Sequence, residues 1–350
     1  MFTERGKRAM RSPITFSRAV ADRFPQVMPG VLICITVALA ATFIADHYGG
    51  PTLLYALLFG MALHFLSEEG RSVAGIEFAA RPILRFGVAL LGVRITVEQV
   101  TSLGSGPIVI VVAGVVLTIL MGVLLARLMG LHREIGLLTG GAVAICGASA
   151  ALALSAVMPK NDNSERNTIL TVVGVTTLST AAMVIYPLIT GVLSFTDQQA
   201  GVFLGGTIHD VAQVVGAGYM ISEEAGDVST FVKLMRVAML VPVVICFILL
   251  FRKSERSEVQ SRTPKLPGFL VAFVLLVIIN SLGVIPASVA DSMTDLSRWC
   301  LVTAIAALGI KTSFQKLAVV GWKPVILMLA ETLFLLGLVL AFILFGVVSL

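Results

Sequence analysis

The sequence predicts an all-α integral membrane protein with ten or eleven transmembrane helices, an inverted structural repeat and glycine-rich broken helices. Three observations carry this: the composition, long apolar runs recurring from end to end, and two small-residue segments holding polar groups inside apolar territory. Of 350 residues, 57% are hydrophobic and 13% charged, and the mean hydropathy is +0.99. A water-soluble domain of that length is more polar. In a bilayer core every backbone N–H and C=O needs a partner within the protein, which leaves helices or a closed barrel. Continuous Leu/Val/Ile/Ala runs select helices, because barrel strands alternate.

Crossing a hydrocarbon core of about 30 Å takes about 20 helical residues. Eleven runs qualify: 27–45, 51–66, 82–103, 106–128, 134–158, 169–193, 199–220, 229–251, 267–285, 297–313 and 324–349. The second is short, and the third and tenth carry Arg85, Arg94, Arg298 and Lys311, so ten crossings or a re-entrant pair is the alternative. The chain therefore divides into a basic N-terminal segment, 1–26, and one polytopic membrane domain, 27–350, interrupted by a linker at 252–266.

Lys and Arg in short loops set orientation. Arg5, Lys7, Arg8, Arg11, Arg18 and Arg23 place the N-terminus in the cytoplasm, and eleven crossings put Arg252, Lys253, Arg256, Arg262 and Lys265 of the linker there too. The acidic loop Ser222–Asp227 falls outside, as does the C-terminus. Lys160 and Arg166 in 159–168 are also put outside, against the rule. The first run leads to Asp46-His47-Tyr48 with no small-residue cleavage site, so it reads as an uncleaved helix rather than a signal peptide.

Cys34, Cys146, Cys246 and Cys300 all fall inside the spans without paired spacing and indicate neither disulfides nor a zinc site. No Walker motif is present, so transport would run on ion gradients and needs no cofactor. The net charge of +5 sits mostly in tails and loops, where it meets anionic lipid headgroups and does not imply nucleic acid.

Offset by 217 residues, Gly92-Val93-Arg94-Ile95-Thr96 aligns with Gly309-Ile310-Lys311-Thr312-Ser313. Gly104 then meets Gly321, Pro107 meets Pro324 and Val100 meets Leu317, with an apolar helix after each proline. The matched windows, near 83–128 and 300–349, lie seven crossings apart, so the copies would be inverted. Inverted repeats are a transporter signature. Helix ends entering loops are the plainer source of the residue types, but not of the shared offset.

Segment 134–158 contains Thr139-Gly140-Gly141 and Cys146-Gly147-Ala148-Ser149. Such a run either lets another helix pack closely or lets this one unwind. Unwinding frees a half-helix N-terminus that suits an anion. Segment 199–220 has Gly205-Gly206-Thr207-Ile208-His209-Asp210 followed by Gln213. Ionisable groups there are costly unless paired or hydrated. His209 and Asp210 form either a buried structural pair or a proton or Na⁺ relay. Lys233 and Arg236 share a helix face. They either snorkel to the interface, line an anion path, or pair with Asp210. Arg94 and Lys311, related by the repeat, would flank the same path, while Arg81 and Arg85 read as interface residues. Glu331 and Asn280 receive no role.

The stretches Gly140 to Ala150, Ile208 to Gly218, Lys233-Leu234-Met235-Arg236-Val237 and Ala307 to Thr312 resemble the YeiH family of bacterial inner-membrane proteins over nearly the whole chain. That family is described as sulfate exporters and grouped with the cation/proton antiporter and bile-acid symporter fold of crossed, broken helices. The resemblance implies an inner-membrane homodimer that exports sulfate or a related sulfur oxyanion.

The resulting expectation is a secondary transporter, not an enzyme. Gly140, Gly141, Cys146, Gly147, Ser149, Thr207, His209, Asp210 and Gln213 form its site. His209 and Asp210 couple it to H⁺ or Na⁺, and Lys233, Arg236, Arg94 and Lys311 balance the anion. A cation/proton antiporter or a Na⁺-coupled organic-solute symporter is the alternative. An intramembrane enzyme using Cys146, His209 and Asp210 is disfavoured, since no second polar cluster supplies an oxyanion site.

Overall fold

The computed structural model describes residues 13–159, 163–251, 267–312 and 322–346. The linker cations at 252–266, Lys160, residues 1–12 and the repeat partners Ser313, Leu317 and Gly321 lie outside them. Among the described residues every regular element is helical.

Six helices among the described residues are long and apolar enough to cross a membrane. They are α1 (Pro13–Tyr48, apolar from Pro25), α6 (Gly106–Leu128), α9 (Ser164–Val192), the joined α12 (Glu223–Ala238) and α13 (Leu240–Phe251), α15 (Ala287–Lys311), and α16 (Trp322–Leu344). Two shorter apolar helices, α2 (Thr52–Ala62) and α14 (Gly268–Ser281), accompany them. Between α2 and α6 runs a composite helix: α3 (Val73–Phe78), a π turn (Ala79–Ile83), α4 (Leu84–Leu90) and a 3₁₀ turn (Leu91–Val93). Pro82 sits in the π turn and has no N–H to give, so the ladder opens there. A capping box at Thr96 and Gln99 starts the short α5 (Val97–Ser102).

The two glycine-rich segments depart from the expected straight crossings at 134–158 and 199–220. Each is a pair of short helices folded back on itself. In the first, α7 (Arg133–Ala144) and α8 (Ala148–Ser155) lie side by side, because a Cβ on Gly141 would meet the Leu154 side chain at 2.3 Å. Along one straight axis those residues would be about 20 Å apart. Glu134 and Ile135 accordingly share a small cavity with Ser155 and Met158. In the second, α10 (Asp197–Thr207) and α11 (Val211–Ile221) flank the same stretch of α12, since Gly201 and Gly218 both abut the Ala225 carbonyl.

The hairpins enter from opposite ends of α9. The base of the first shares its cavity with Ser164, Asn167 and Thr168 at the start of α9. The second stacks Phe203 on Tyr186 and Phe195 towards and beyond the other end. Their tips meet halfway along α9, where Gly147 faces Val175 and the Asp210 backbone N–H donates to the Ser179 hydroxyl at 3.0 Å.

At the 217-residue offset α2 falls on α14, the composite helix on α15, and α6 on α16. The paired glycines have matching jobs. A Cβ on Gly92 would lie 2.4 Å from the Phe273 carbonyl of α14, and one on Gly309 2.3 Å from the Leu57 carbonyl of α2.

Candidate functional site

Two hairpin tips in apolar surroundings strand the last carbonyls of α7 and α10 and the first N–H groups of α8 and α11. At the first tip Gly147 takes φ +62°, a conformation that L side chains rarely adopt, and its N–H closes back on the Ala142 carbonyl at 2.8 Å. The carbonyls of Val143, Ala144 and Ile145 are left over. Arg236 donates Nη2 to Val143 (2.8 Å) and Nε to Ala144 (2.9 Å), and Lys233 Nζ donates to Ile145 (2.7 Å).

The same two cations reach the second tip. Arg236 Nη1 donates to the carbonyls of Gly205 (3.1 Å) and Ile208 (3.0 Å), and Lys233 Nζ to Ile208 (2.9 Å). Lys233 and Arg236 are thus fully buried pins between the negative ends of two half-helices, which is where cations are favoured. This corrects the expectation that they snorkel to the interface or line the anion path. Their hydrogen bonds go to backbone carbonyls, which have no sequence signature.

The positive ends face a cavity of ≈ 390 Å³. Ala148 and Ser149 of α8 line it, and the N-cap of that helix is Gly147, which has no side chain to offer. Asp210 and Gln213 reach it from α11, where Asp210 Oδ1 accepts from the Ala212 N–H at 3.1 Å as the N-cap. Thr176, Thr177 and Thr180 of α9 form one wall, and Gln213 Nε2 donates to Thr180 Oγ1 at 3.4 Å. Gln213 Oε1 is buried without a hydrogen-bond partner among the described residues. Arg81, Arg85 and Lys311 supply the charge, and Leu84, Val88 and Phe269 are among the apolar lining.

Of the residues expected at the site, Ser149, Asp210, Gln213 and Lys311 line the cavity. Gly147 forms a tip. Gly140 and Gly141 pack the hairpin: a Cβ on Gly140 would lie 3.1 Å from the Thr118 carbonyl of α6. Cys146, Thr207 and His209 are buried behind the tips. The His209 ring holds the Thr332 hydroxyl at Nε2 (2.9 Å) and the Thr207 carbonyl at Nδ1 (3.2 Å). It fastens α16 to the second tip and does not face Asp210's cavity, which corrects the expected relay.

Arg94 is also placed elsewhere. It pairs with Glu223 (2.9 Å) and Asp227 (3.4 Å) beside a second cavity of ≈ 300 Å³. Asp227 also accepts from the Tyr219 hydroxyl. The two cavities lie towards opposite ends of the composite helix, one along Ala80–Val88 and the other beyond Arg94.

Arg81 and Arg85, read as interface residues, were the missed members. Pro82 beside them was the available signal, since π turns gather at functional positions. Glu331 was missed too: it is fully buried, accepts from Thr139 Oγ1 at 2.8 Å, and leaves Oε2 unpartnered.

Gly147→Ala is expected to destabilise the protein by about 1–3 kcal/mol through backbone strain alone, because a Cβ there meets nothing closer than 3.6 Å. Thermal unfolding in detergent measures this, and an unchanged midpoint would show that the tip relaxes without glycine.

The family described as Conserved hypothetical protein 698 matches residues 29–328. A UPF0324 membrane protein of Chlorobaculum tepidum is 56% identical over 325 residues, covering 92% of this chain and 91% of that one. The UPF0324 membrane protein TauZ of Paracoccus denitrificans is 54% identical over 312 residues, covering 88% and 92%. The sodium proton antiporter MjNhaP1 of Methanocaldococcus jannaschii aligns at 14% identity over 91% of this chain and 98% of that one, with a TM-score of 0.28, too slight a likeness to support any argument.

Proposed function

This chain belongs to the UPF0324 family of membrane proteins, the YeiH-like family its residues resemble, and on that premise we propose that it is a secondary transporter moving a small anion through the Arg81–Arg85–Lys311 cavity. The observation that carries the reading is the meeting of two re-entrant tips at that cavity. A half-helix N-terminus and three cationic side chains then converge on one cavity. N–H groups at a helix start and guanidinium forks are what a tetrahedral or planar oxyanion requires. Sulfate or a related sulfur oxyanion is the expected cargo.

Orientation follows from the fold-back. With 133–158 and 197–221 re-entrant, nine crossings remain among the described residues, and Arg71, Arg127, Arg133, Arg166 and Lys323 all fall on a connection or in the terminal turn of a helix at one end. The other end collects Glu98, Asp197, Glu223, Glu224 and Asp227. The positive-inside rule makes the first end cytoplasmic, with the N-terminus, in the inner membrane. The anomaly of Arg166 disappears, and the larger cavity lies on the cytoplasmic half. The repeated helices α2/α14, composite/α15 and α6/α16 then run in opposite directions, the inverted arrangement that supports alternating access.

Asp210 is the coupling group of this proposal, taking up H⁺ or Na⁺ beside the anion. Asp210 and the unpartnered Gln213 Oε1 also favour one competing reading, a Na⁺- or H⁺-coupled carrier of an organic solute. Catalysis by Cys146 has no support, as His209 is held by Thr332 and Thr207.

Ligand-dependent thermal stability of the purified protein tests the proposal. Sulfate, sulfite or thiosulfate should raise the midpoint, by the equivalent of about 2.7 kcal/mol at a hundredfold excess over Kd. Arg85→Gln should remove the shift without changing the unliganded midpoint. Stabilisation by Na⁺ or a neutral solute alone would replace the anion with a cation at Asp210.

A further inference from the structure

The cations of the cavity are not equally available. Glu77 on α3 lies one turn before Arg81, and its Oε1 sits 2.8 Å from Arg81 Nη1. Its Oε2 is ion-paired with Lys311 Nζ at the end of α15. Arg85, one further turn along the same face, has no ion-pair partner among the described residues, although it lines the same cavity. One carboxylate of the protein's own chain therefore occupies two of the three cations that a transported anion would use.

Burial decides how firmly. The Arg81, Glu77 and Lys311 side chains are 64%, 40% and 32% exposed. Ion pairs this accessible to water contribute little net stability, so they exchange readily. The Lys233 and Arg236 contacts are fully buried and fixed, so the two kinds of cation are set apart by hydration. The Glu77 bridge also joins the composite helix to α15, the two helices related by the 217-residue offset.

We propose that Glu77 is the built-in competitor of the transported anion, closing Arg81 and Lys311 together when the cavity is empty and yielding them when an oxyanion enters. This rests on the anion reading of the cavity and adds a specificity determinant to it. The bridge is made through two carboxylate oxygens, so a multi-oxygen oxyanion can exchange for it on both cations, whereas a chloride ion presents a single atom. Glu77 thereby favours oxyanion cargo and keeps the site from filling with chloride. Asp210 faces the same cavity but caps α11, so it is not free to leave in the same way.

The test is sulfate binding to the purified full-length chain in detergent, by calorimetric titration at constant ionic strength, with chloride as the monovalent probe. Glu77→Gln should bind sulfate about threefold to tenfold more tightly and chloride more tightly by a larger factor. The gain should vanish in Glu77→Gln/Lys311→Gln, while the unliganded melting midpoint of Glu77→Gln stays near that of the parent. Weaker or unchanged sulfate binding in Glu77→Gln, with the parent still binding, overturns the competitor and leaves the anion site standing. Absence of sulfate and chloride binding in both proteins overturns the anion site itself.

Discussion

Arg236→Met is expected to destabilise the protein by about 3–5 kcal/mol, the range for breaking a buried charged contact. Arg236 makes four hydrogen bonds, to Val143, Ala144, Gly205 and Ile208, and no other described side chain reaches those carbonyls except Lys233 at Ile208. Methionine fills similar space and leaves three of these acceptors, those of Val143, Ala144 and Gly205, without a side-chain donor between two helix ends. Arg236→Lys retains the charge but loses the fork, since one ammonium nitrogen with three donors cannot serve the four carbonyls that the three guanidinium nitrogens reach. It should fall between the parent and Arg236→Met. Thermal unfolding in detergent, with expression level as a second readout, measures both. A methionine variant that melts with the parent would mean that the two tips are held by something other than this pin.

Asp210→Asn separates the structural from the functional job of the tip. Asparagine caps helices as well as aspartate does, and its side-chain oxygen can still accept from the Ala212 N–H, so the melting midpoint should move by less than about 0.5 kcal/mol equivalent. Gradient-driven flux in proteoliposomes should nevertheless fall at least about tenfold, because the carboxylate that lines the cavity at the hairpin tip has lost its charge. Anion exchange without a gradient should persist. Retention of full H⁺- or Na⁺-driven flux would remove Asp210 from the coupling step.

The membrane class, the helical content and the two interrupted segments were legible because they depend on local chemistry: apolar length, Gly147 at a tip, and Asp210 as a cap. The fold-back was not legible. A hairpin of two short apolar helices and one long crossing share the same periodicity, and the reversal depends on cations some ninety residues away in sequence, as in the Arg236–Ala144 contact. One trace of it was present. Arg166 on the wrong side of the membrane is what an extra crossing in 134–158 produces.

The cations were read in the wrong places for a related reason. An Arg inside an apolar run signals a polar partner but not its identity. Lys233 and Arg236 looked like lining because backbone carbonyls have no residue type, while Arg81 and Arg85 looked like interface anchors because they precede the apolar part of their helix. Their positions on the π turn around Pro82 and just after it bring them to the cavity. The 217-residue offset did mark a cation on each side, yet Arg94 and Lys311 serve different cavities.

Counterflow of labelled sulfate into proteoliposomes loaded with unlabelled sulfate is the most direct test of an anion path between the hairpin tips. The parent protein should accumulate label transiently above the level of empty liposomes, and Arg85→Gln, folded and reconstituted to the same density, should not. Label entry that is equal in the two proteins, or absent from both across sulfate, sulfite and thiosulfate, would contradict the account.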